Sequence, residues 1–391
     1  MHYCICKDLK ISIQDGCRLT FSLTDGNYDF PLAALGLLDK FTHPRTFTEA
    51  ARQISATGSS DWIHQTAILR SLIEIGALDT VEDGKQPPKA VIEYGSARIH
   101  IDMLNDKART RAYQKAIRDL VKPGDCVVDI GTGTGVLAMT AIQAGAAKVY
   151  ALEANPATAD IARHCIRQNG FSDGIEVVQG WSTSVELPER ADLIVSEMFG
   201  NDPFDEDILS IYADAVKRFA KPGAKLIPQG FDLCCAPLFL TQEQLDAYVP
   251  GPDMLAEWQR EYQLDFSVLA GLEYTEDRPL FYAKPQRLAS TVAGEMLCLG
   301  HVDLTSSQPI NPGFRLSLKN RQGCFNALML YFDTFLSPGN RLSLAPGVAE
   351  QNNHWRTPVW YLQETLDLAM NSGFRLYFER TNTGKNRLFI R

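Results

Sequence analysis

Short apolar–polar alternations over residues 1–26 predict strands, closing on the turn signal Asp25-Gly26. Helical periodicity follows over Pro31–Lys40, Thr46–Ile54 and Ser60–Ile75, and Gly76 stops the third run. Thr46 stands three residues before Glu49, the spacing of a capping box, and so predicts a helix start there. Three short helices closed by the run LIEIGAL predict a small winged-helix-like domain over residues 1–88, with the polar Glu82–Pro88 as a linker.

The pattern changes over residues 89–228. Strand-like runs at Cys126–Ile130, Lys148–Leu152, Ile175–Val178 and Ala191–Ser196 alternate with helical runs at Val136–Ala144 and Thr158–Asn169. Such alternation specifies a parallel, doubly wound sheet of the Rossmann-like α/β class. Over residues 229–391 the helical signal fades. Short alternating runs recur at Phe314–Leu318, Asn326–Asp333, Pro358–Leu362, Phe374–Phe378 and Arg387–Ile390, separated by turn residues as in a β-sandwich or β-barrel. Residues 241–272 interrupt that region with helical patterning that exposes Tyr248, Met254, Leu255, Trp258 and Tyr262.

Composition narrows the class. In 391 residues, 45% are hydrophobic and 22% charged, which excludes disorder, collagen and coiled coil. The net charge of −9 argues against a nucleic-acid binder with a general basic surface and suits a cationic partner. That charge is spread evenly: 12 acids against 9 bases in residues 1–93, 18 against 15 in 94–228, and 17 against 14 in 229–391. No run reaches the ~18 apolar residues that span a bilayer. The N-terminus lacks a signal-peptide pattern. Nine scattered cysteines without paired C-x-x-C spacing predict no metal site and a reduced, cytoplasmic setting, with the thiols as small buried hydrophobes.

Three segments carry candidate chemistry. Asp129-Ile-Gly131-Thr-Gly133-Thr-Gly135 follows the first strand of the alternating region and opens a helix. Glycines suit a turn whose backbone lies against a ligand. The spacing differs from the dinucleotide fingerprint and matches the first motif of S-adenosylmethionine-dependent methyltransferases, a nicotinamide dehydrogenase being the competing reading. Glu153 closes the next strand, where a carboxylate can accept from both ribose hydroxyls. Upstream, His100-x-x-Met103-Leu104-x-Asp106-x-x-Arg109-Thr110 offers a guanidinium for a methionyl carboxylate, or simply a solvated helix face. Finally, residues 197–207 hold Glu197, Asp202, Asp205, Glu206 and Asp207 with no base, at the end of a strand where α/β folds place their chemistry. A bland acidic turn is the alternative; beside a methyl-donor site, paired carboxylates suit a guanidinium, whose five donors form a planar fork.

Together these residues resemble the protein arginine methyltransferase family over about residues 94–391. The match rests on Tyr94 six residues before His100, the HxxMLxDxxRT segment, VVDIGTGTG, ALEANP, SEMFGNDPFDE, and Asn353-His354-Trp355 in the β-rich region. The resemblance implies a methyltransferase domain, a β-barrel, and a dimerisation arm over residues 241–272 that would make a homodimer. It implies that Arg109 holds the carboxylate of S-adenosylmethionine, that Asp129, Gly131 and Gly133 line its methionine–ribose region, and that Glu153 binds the ribose. His100 and Thr183 would complete the cofactor site. Glu197 and Glu206 would clamp the substrate guanidinium, His354 with Asp106 would accept a proton or anchor a loop, and Tyr94, Met103 and Trp355 would border the arginine channel.

Four departures stand out: Asn353 replaces the family's threonine, Thr183 an adenine-contacting glutamate, Ile208 a methionine frequent in dimethylating members, and Met198-Phe199 the usual Trp-Met. They leave the product open between mono-, symmetric and asymmetric dimethylarginine. The acceptor stays open too. It is free L-arginine if the N-terminal domain excludes large substrates, and arginine in a peptide or protein if that domain presents one. The alternative is a noncatalytic scaffold whose winged helix binds a partner or DNA.

Overall fold

The computed structural model describes residues 2–6, 9–14, 18–23, 26–31, 33–38, 41, 45–46, 62–80, 97–271, 279–307, 312–369, 373–380 and 386–391. The chain divides into two compact units, Met1–Glu93 and Tyr94–Arg391.

In the first unit, β2 (Lys10–Gln14), β3 (Arg18–Leu23) and β4 (Gly26–Pro31) form an antiparallel meander. A second small sheet runs β5 (Arg45–Thr46), β1 (His2–Ile5), β6 (Leu78–Thr80). Helices α1 (Ala33–Leu38) and α2 (Trp62–Glu74) bury Leu37, Leu38, Leu69 and Leu72 against Leu19 and Phe21. Two of the three expected helices are therefore present. The capping-box expectation at Thr46 fails, because Thr46 pairs with His2 as a strand; the rest of that expected helix lies outside the described residues. A local cap pattern is worth about 1 kcal/mol and yields readily to strand pairing.

The second unit opens with α3 (Ala97–Asn105) and α4 (Lys107–Leu120). Five strands follow: β7 (Cys126–Ile130), β8 (Lys148–Glu153), β9 (Ile175–Gln179), β10 (Ala191–Ser196) and β11 (Ala220–Ile227). They form a parallel sheet in the order β11-β10-β7-β8-β9. Helices α5 (Val136–Gln143), α6 (Pro156–Gln168) and α7 (Ile208–Phe219) cross over between them. Strand β7 is buried at all five residues, as a strand covered on both faces must be. The chain steps outward from β7 to β9, then returns to place β10 on the other side of β7. The switch point, and hence the crevice where such sheets bind ligands, lies between the carboxyl ends of β7 and β10.

Beyond β11 the chain is antiparallel. One sheet runs β13 (Phe281–Ala283), β18 (Thr357–Asp367), β16 (Cys324–Ser337), β12 (Gly230–Leu238), β14 (Leu297–Asp303), with β17 (Asn340–Ser343) also on β16. The other runs β15 (Gly313–Ser317), β19 (Arg375–Arg380), β20 (Asn386–Ile390). Between β12 and β13 lie α8 (Gln242–Leu245) and α9 (Pro252–Tyr262), the helices expected at 241–272; α9 buries none of its residues. One core joins the two halves: Phe199 and Phe204, from the loop after β10, pack with Phe231, Phe332 and Trp355 of the antiparallel half.

The expectation of uniformly buried cysteines needs correction. Cys126, Cys234 and Cys235 are buried, whereas Cys298 and Cys324 are exposed because they point outward from their strands.

Candidate active site

The glycine turn and the acidic loop sit side by side at the switch point. Gly131, Gly133 and Gly135 adopt φ of 71°, 57° and 79°, the left-handed region that a side chain resists. A Cβ on Gly135 would stand 3.1 Å from Ile166 of α6, so the turn needs glycine for packing as well as for φ. Asp129 braces it from beneath, with Oδ2 accepting from Thr132 Oγ1 (2.6 Å) and from Ala138 N (3.1 Å). Its carboxylate faces inward rather than into the cavity, which the resemblance did not anticipate. Burial pushes this acid up to about 7, against the hydrogen bonds that lower it. Glu153 ends β8 with one oxygen on Gly133 N (3.0 Å) and the other on Asn155 N (2.9 Å). Burial raises its pKa as well.

Asp106 caps α4, accepting from Arg109 N (3.1 Å) through Oδ1. Its Oδ2 takes both the backbone N–H of His354 (3.1 Å) and the Nδ1 of its ring (2.9 Å). Burial raises the Asp106 pKa, but the hydrogen bonds from His354 and Arg109 outweigh it and hold the carboxyl below its ordinary 3.8. An ionised partner favours the tautomer with the proton on Nδ1, which leaves Nε2 as the acceptor. Asn353 closes the same loop on itself, accepting from Trp355 N and donating to Trp355 O, each at 3.2 Å. Trp355 is buried and its indole Nε1 donates to Phe199 O (2.7 Å).

The cap aims the first turn of α4. Arg109 is 5% exposed; one guanidinium nitrogen donates to Met103 O (3.0 Å) and another pairs with Glu197. The other Glu197 oxygen accepts from Phe199 N (3.3 Å). His100 lies 3.5 Å from where a Cβ on Gly133 would stand, with Nε2 3.3 Å from Thr158 Oγ1. Around these runs a cavity of about 40 Å³, lined by His100, Met103, Arg109, Tyr113, Glu197 and the glycine turn. Three buried polar atoms on its α4 wall have no partner: Arg109 Nε, Thr110 Oγ1 and Tyr113 Oη. Burial and the Glu197 charge push the Tyr113 hydroxyl well above its usual range. Unsatisfied buried donors beside glycine amides fit the polar end of a bound nucleoside–amino acid, although about 40 Å³ holds little more than one water.

The five acids of the loop divide their work. Asp202 is 6% exposed, accepts from Phe204 N (3.0 Å) and from Asn386 of β20, and is pushed up to about 7 by burial. Asp205 accepts from Asp202 N (3.1 Å), and a Cβ on Gly200 would meet Asp205 Cβ at 2.6 Å, so the tight turn needs Gly200. Asp207 takes φ 54° at the start of α7 and accepts from Ser210 Oγ (3.0 Å). Glu197 faces Arg109 across the cavity, and Glu206 is half-buried at the far end of the loop.

A larger cavity of about 550 Å³ adjoins this loop, lined by Asp102, Phe199, Gly200, Asn201, Lys284, His354, Trp355 and Arg356 among others. Thr183 is exposed in the turn after β9 and lines neither cavity, and Glu206 likewise lines neither. Tyr94 lies outside the described residues. Sequence reasoning missed Tyr113, one helical turn past Arg109 and so on its face, and the cations Lys284 and Arg356, which no motif marks. Among the described residues no three His, Cys, Asp or Glu side chains are grouped to hold a metal.

The profile of the ribosomal protein L11 methyltransferase (PrmA) family matches residues 108–231, from α4 into β12. A probable protein arginine N-methyltransferase 1.2 of Arabidopsis thaliana is 30% identical over 289 residues, 71% of this chain and 74% of the relative. The chain belongs to the protein arginine N-methyltransferase family. Xenopus laevis protein arginine N-methyltransferase 6 is 27% identical over 71% of this chain and 82% of its own. Among solved structures, the Trypanosoma brucei PRMT1 enzyme–prozyme heterotetrameric complex with AdoHcy aligns with a TM-score of 0.60 and 27% identity, covering 73% of this chain and 88% of that one. Arabidopsis thaliana protein arginine methyltransferase 10 aligns at 0.60 with 21% identity, over 77% and 98%, and supports the fold alone. Like these arginine methyltransferases, the chain joins a Rossmann-like methyltransferase domain to a β-barrel, and it is a class I S-adenosylmethionine-dependent enzyme.

Proposed function

We propose that the protein transfers a methyl group from S-adenosylmethionine to a guanidino nitrogen of arginine at the β7–β10 switch point. The observation that carries this reading is the grouping of Arg109, the glycine turn and Glu197 around one cavity, with His354, held by Asp106, on the next. When bound, S-adenosylmethionine supplies an electrophilic sulfonium methyl. Arg109 and the orphaned donors of α4 hold its carboxylate end, and Glu153 turns from the Gly133 amide to the ribose hydroxyls.

Glu197 and Glu206 take the acceptor guanidinium. Paired carboxylates draw its positive charge to one side and aim the remaining nitrogen at the methyl, and in-line placement of that kind supplies roughly 7–11 kcal/mol of a barrier. His354 Nε2 accepts the departing proton, directly or through water, while Asp106 steadies the imidazolium. The names of the relatives favour arginine within a protein as acceptor. The scaffold alternative draws no support from them.

Helix α9 buries none of its residues, and Tyr262 is 58% exposed beside Leu264 and Val268. An apolar face of this kind calls for a partner, and we assign it to a homodimer contact. Seven free cysteines among the described residues suit a reducing compartment such as the cytoplasm. No described helix is long and apolar enough to cross a membrane. The winged-helix reading of residues 1–88 rests on α1, α2 and the small sheets.

The test is methyl transfer to arginine substrates read by mass spectrometry in Glu197→Gln and Glu206→Gln. Each is expected to lower kcat by about a hundredfold or more; unchanged turnover in both defeats the clamp.

A further inference from the structure

The 550 Å³ cavity beside His354 shares two residues, Lys284 and Arg356, with a neighbouring cavity of about 380 Å³ that Arg287 also lines. The larger one falls within the roughly 300–1,000 Å³ typical of ligand pockets. Both cations are fixed to the catalytic loops through their backbones or neighbours. Arg356 N donates to Asn201 Oδ1 (2.8 Å) of the acidic loop. Gln286, two residues past Lys284, donates to Gln351 O (3.0 Å) in the segment that leads into His354. Neither Lys284, Arg287 nor Arg356 has an ion-pair partner among the described residues, in a protein of net charge −9. The acids lining the two cavities are Asp102 and Glu243.

Unpaired cations on a pocket next to a guanidinium clamp discriminate by charge. An acceptor with further arginines around its methylated residue is repelled there, whereas an acceptor carrying a carboxylate close to its guanidinium satisfies both ends. We propose that Lys284 and Arg356 form a carboxylate subsite that selects arginine acceptors bearing an anionic group next to the methylated residue. The carboxylate comes either from the α-carboxylate of free arginine or from an acidic side chain beside arginine in a peptide. The identity of the acceptor rests on the arginine reading above; the subsite's preference for a carboxylate is measured without it.

Calorimetry on the enzyme saturated with S-adenosylhomocysteine provides that measurement. The ligands form two matched pairs: L-arginine with L-argininamide, and acetyl-Gly-Arg-Asp-Gly-amide with its Asn counterpart. In the wild type at least one carboxylate member is expected to bind about tenfold tighter or more than its neutral partner, as one charge-assisted hydrogen bond provides. In Arg356→Gln or Lys284→Gln that ratio is expected to fall to within about threefold. Preference confined to the first pair identifies free arginine as the source, and preference confined to the second identifies an acidic neighbour. Equal affinities in both pairs, no binding of any ligand, or a ratio unmoved in both variants overturns the subsite. Methyl transfer to the same ligands is read separately by mass spectrometry. Transfer without preference overturns the subsite and keeps the arginine reading; preference without transfer does the reverse.

Discussion

Asp106 joins two tasks in one carboxylate. Through Oδ1 it sets the first turn of α4 and so the height of Arg109; through Oδ2 it fixes the ring of His354, 248 residues away. Asp106→Asn keeps a competent helix cap, since asparagine caps about as well as aspartate, but offers only one acceptor. Its expected effects are a fall in kcat of about tenfold or more and a loss of about 1–3 kcal/mol of stability at pH 7. The sign of the pH dependence follows from the depressed pKa. Asp106 contributes its full stability above its ordinary 3.8, and that contribution fades as the pH falls through the lower folded value. Urea titrations of wild type and variant are therefore expected to converge as the pH drops below 3.8.

The acidic loop behaves as an element without regular structure. Phe199 and Phe204 drive it into the barrel core, Gly200 lets it turn, and Asp202 ties it to β20. The Asp202 pKa of about 7 makes this anchor sensitive to alkali. The folded protein keeps the proton up to about 7 while the unfolded chain releases it near 3.8, so stability falls as the pH rises between those values. Asp202→Asn removes that dependence. Denaturant titrations at pH 4 and pH 8 are expected to show the wild type losing about 2–4 kcal/mol relative to the variant, at about 1.4 kcal/mol per tenfold change in proton affinity.

Such a role was not readable from the chain, where Asp202 differs in no way from Asp205 or Asp207; what separates them is burial against β20, which comes from 184 residues downstream. The regular elements were far more legible. Strands β7 and β10 fall where their β-branched runs predict, and the helix after the glycine turn begins at Val136 as expected. Helix α6 starts two residues earlier than its periodicity suggested, because Asn155 caps it and Pro156 fits the first turn. Strand β16 runs to 14 residues where eight were expected, since a barrel strand shared among three sheet neighbours outlasts its clean alternation. The dyad partners were legible as motif residues; their mutual distance was not.

At the scale of the whole molecule, the homodimer we propose rests on helix α9, none of whose residues is buried. Deleting residues 252–262 is expected to halve the mass measured by light scattering, and an unchanged mass would remove the arm from the interface. The Arg109–Glu197 pair has a consequence of another kind. On the proposed roles, Arg109 and Glu197 are the counter-charges of two different ligands, and they face each other where the donor carboxylate and the acceptor guanidinium would meet. One ion pair thus sets the charge that each half of the site accepts, and removing either partner leaves the other as a buried, uncompensated charge.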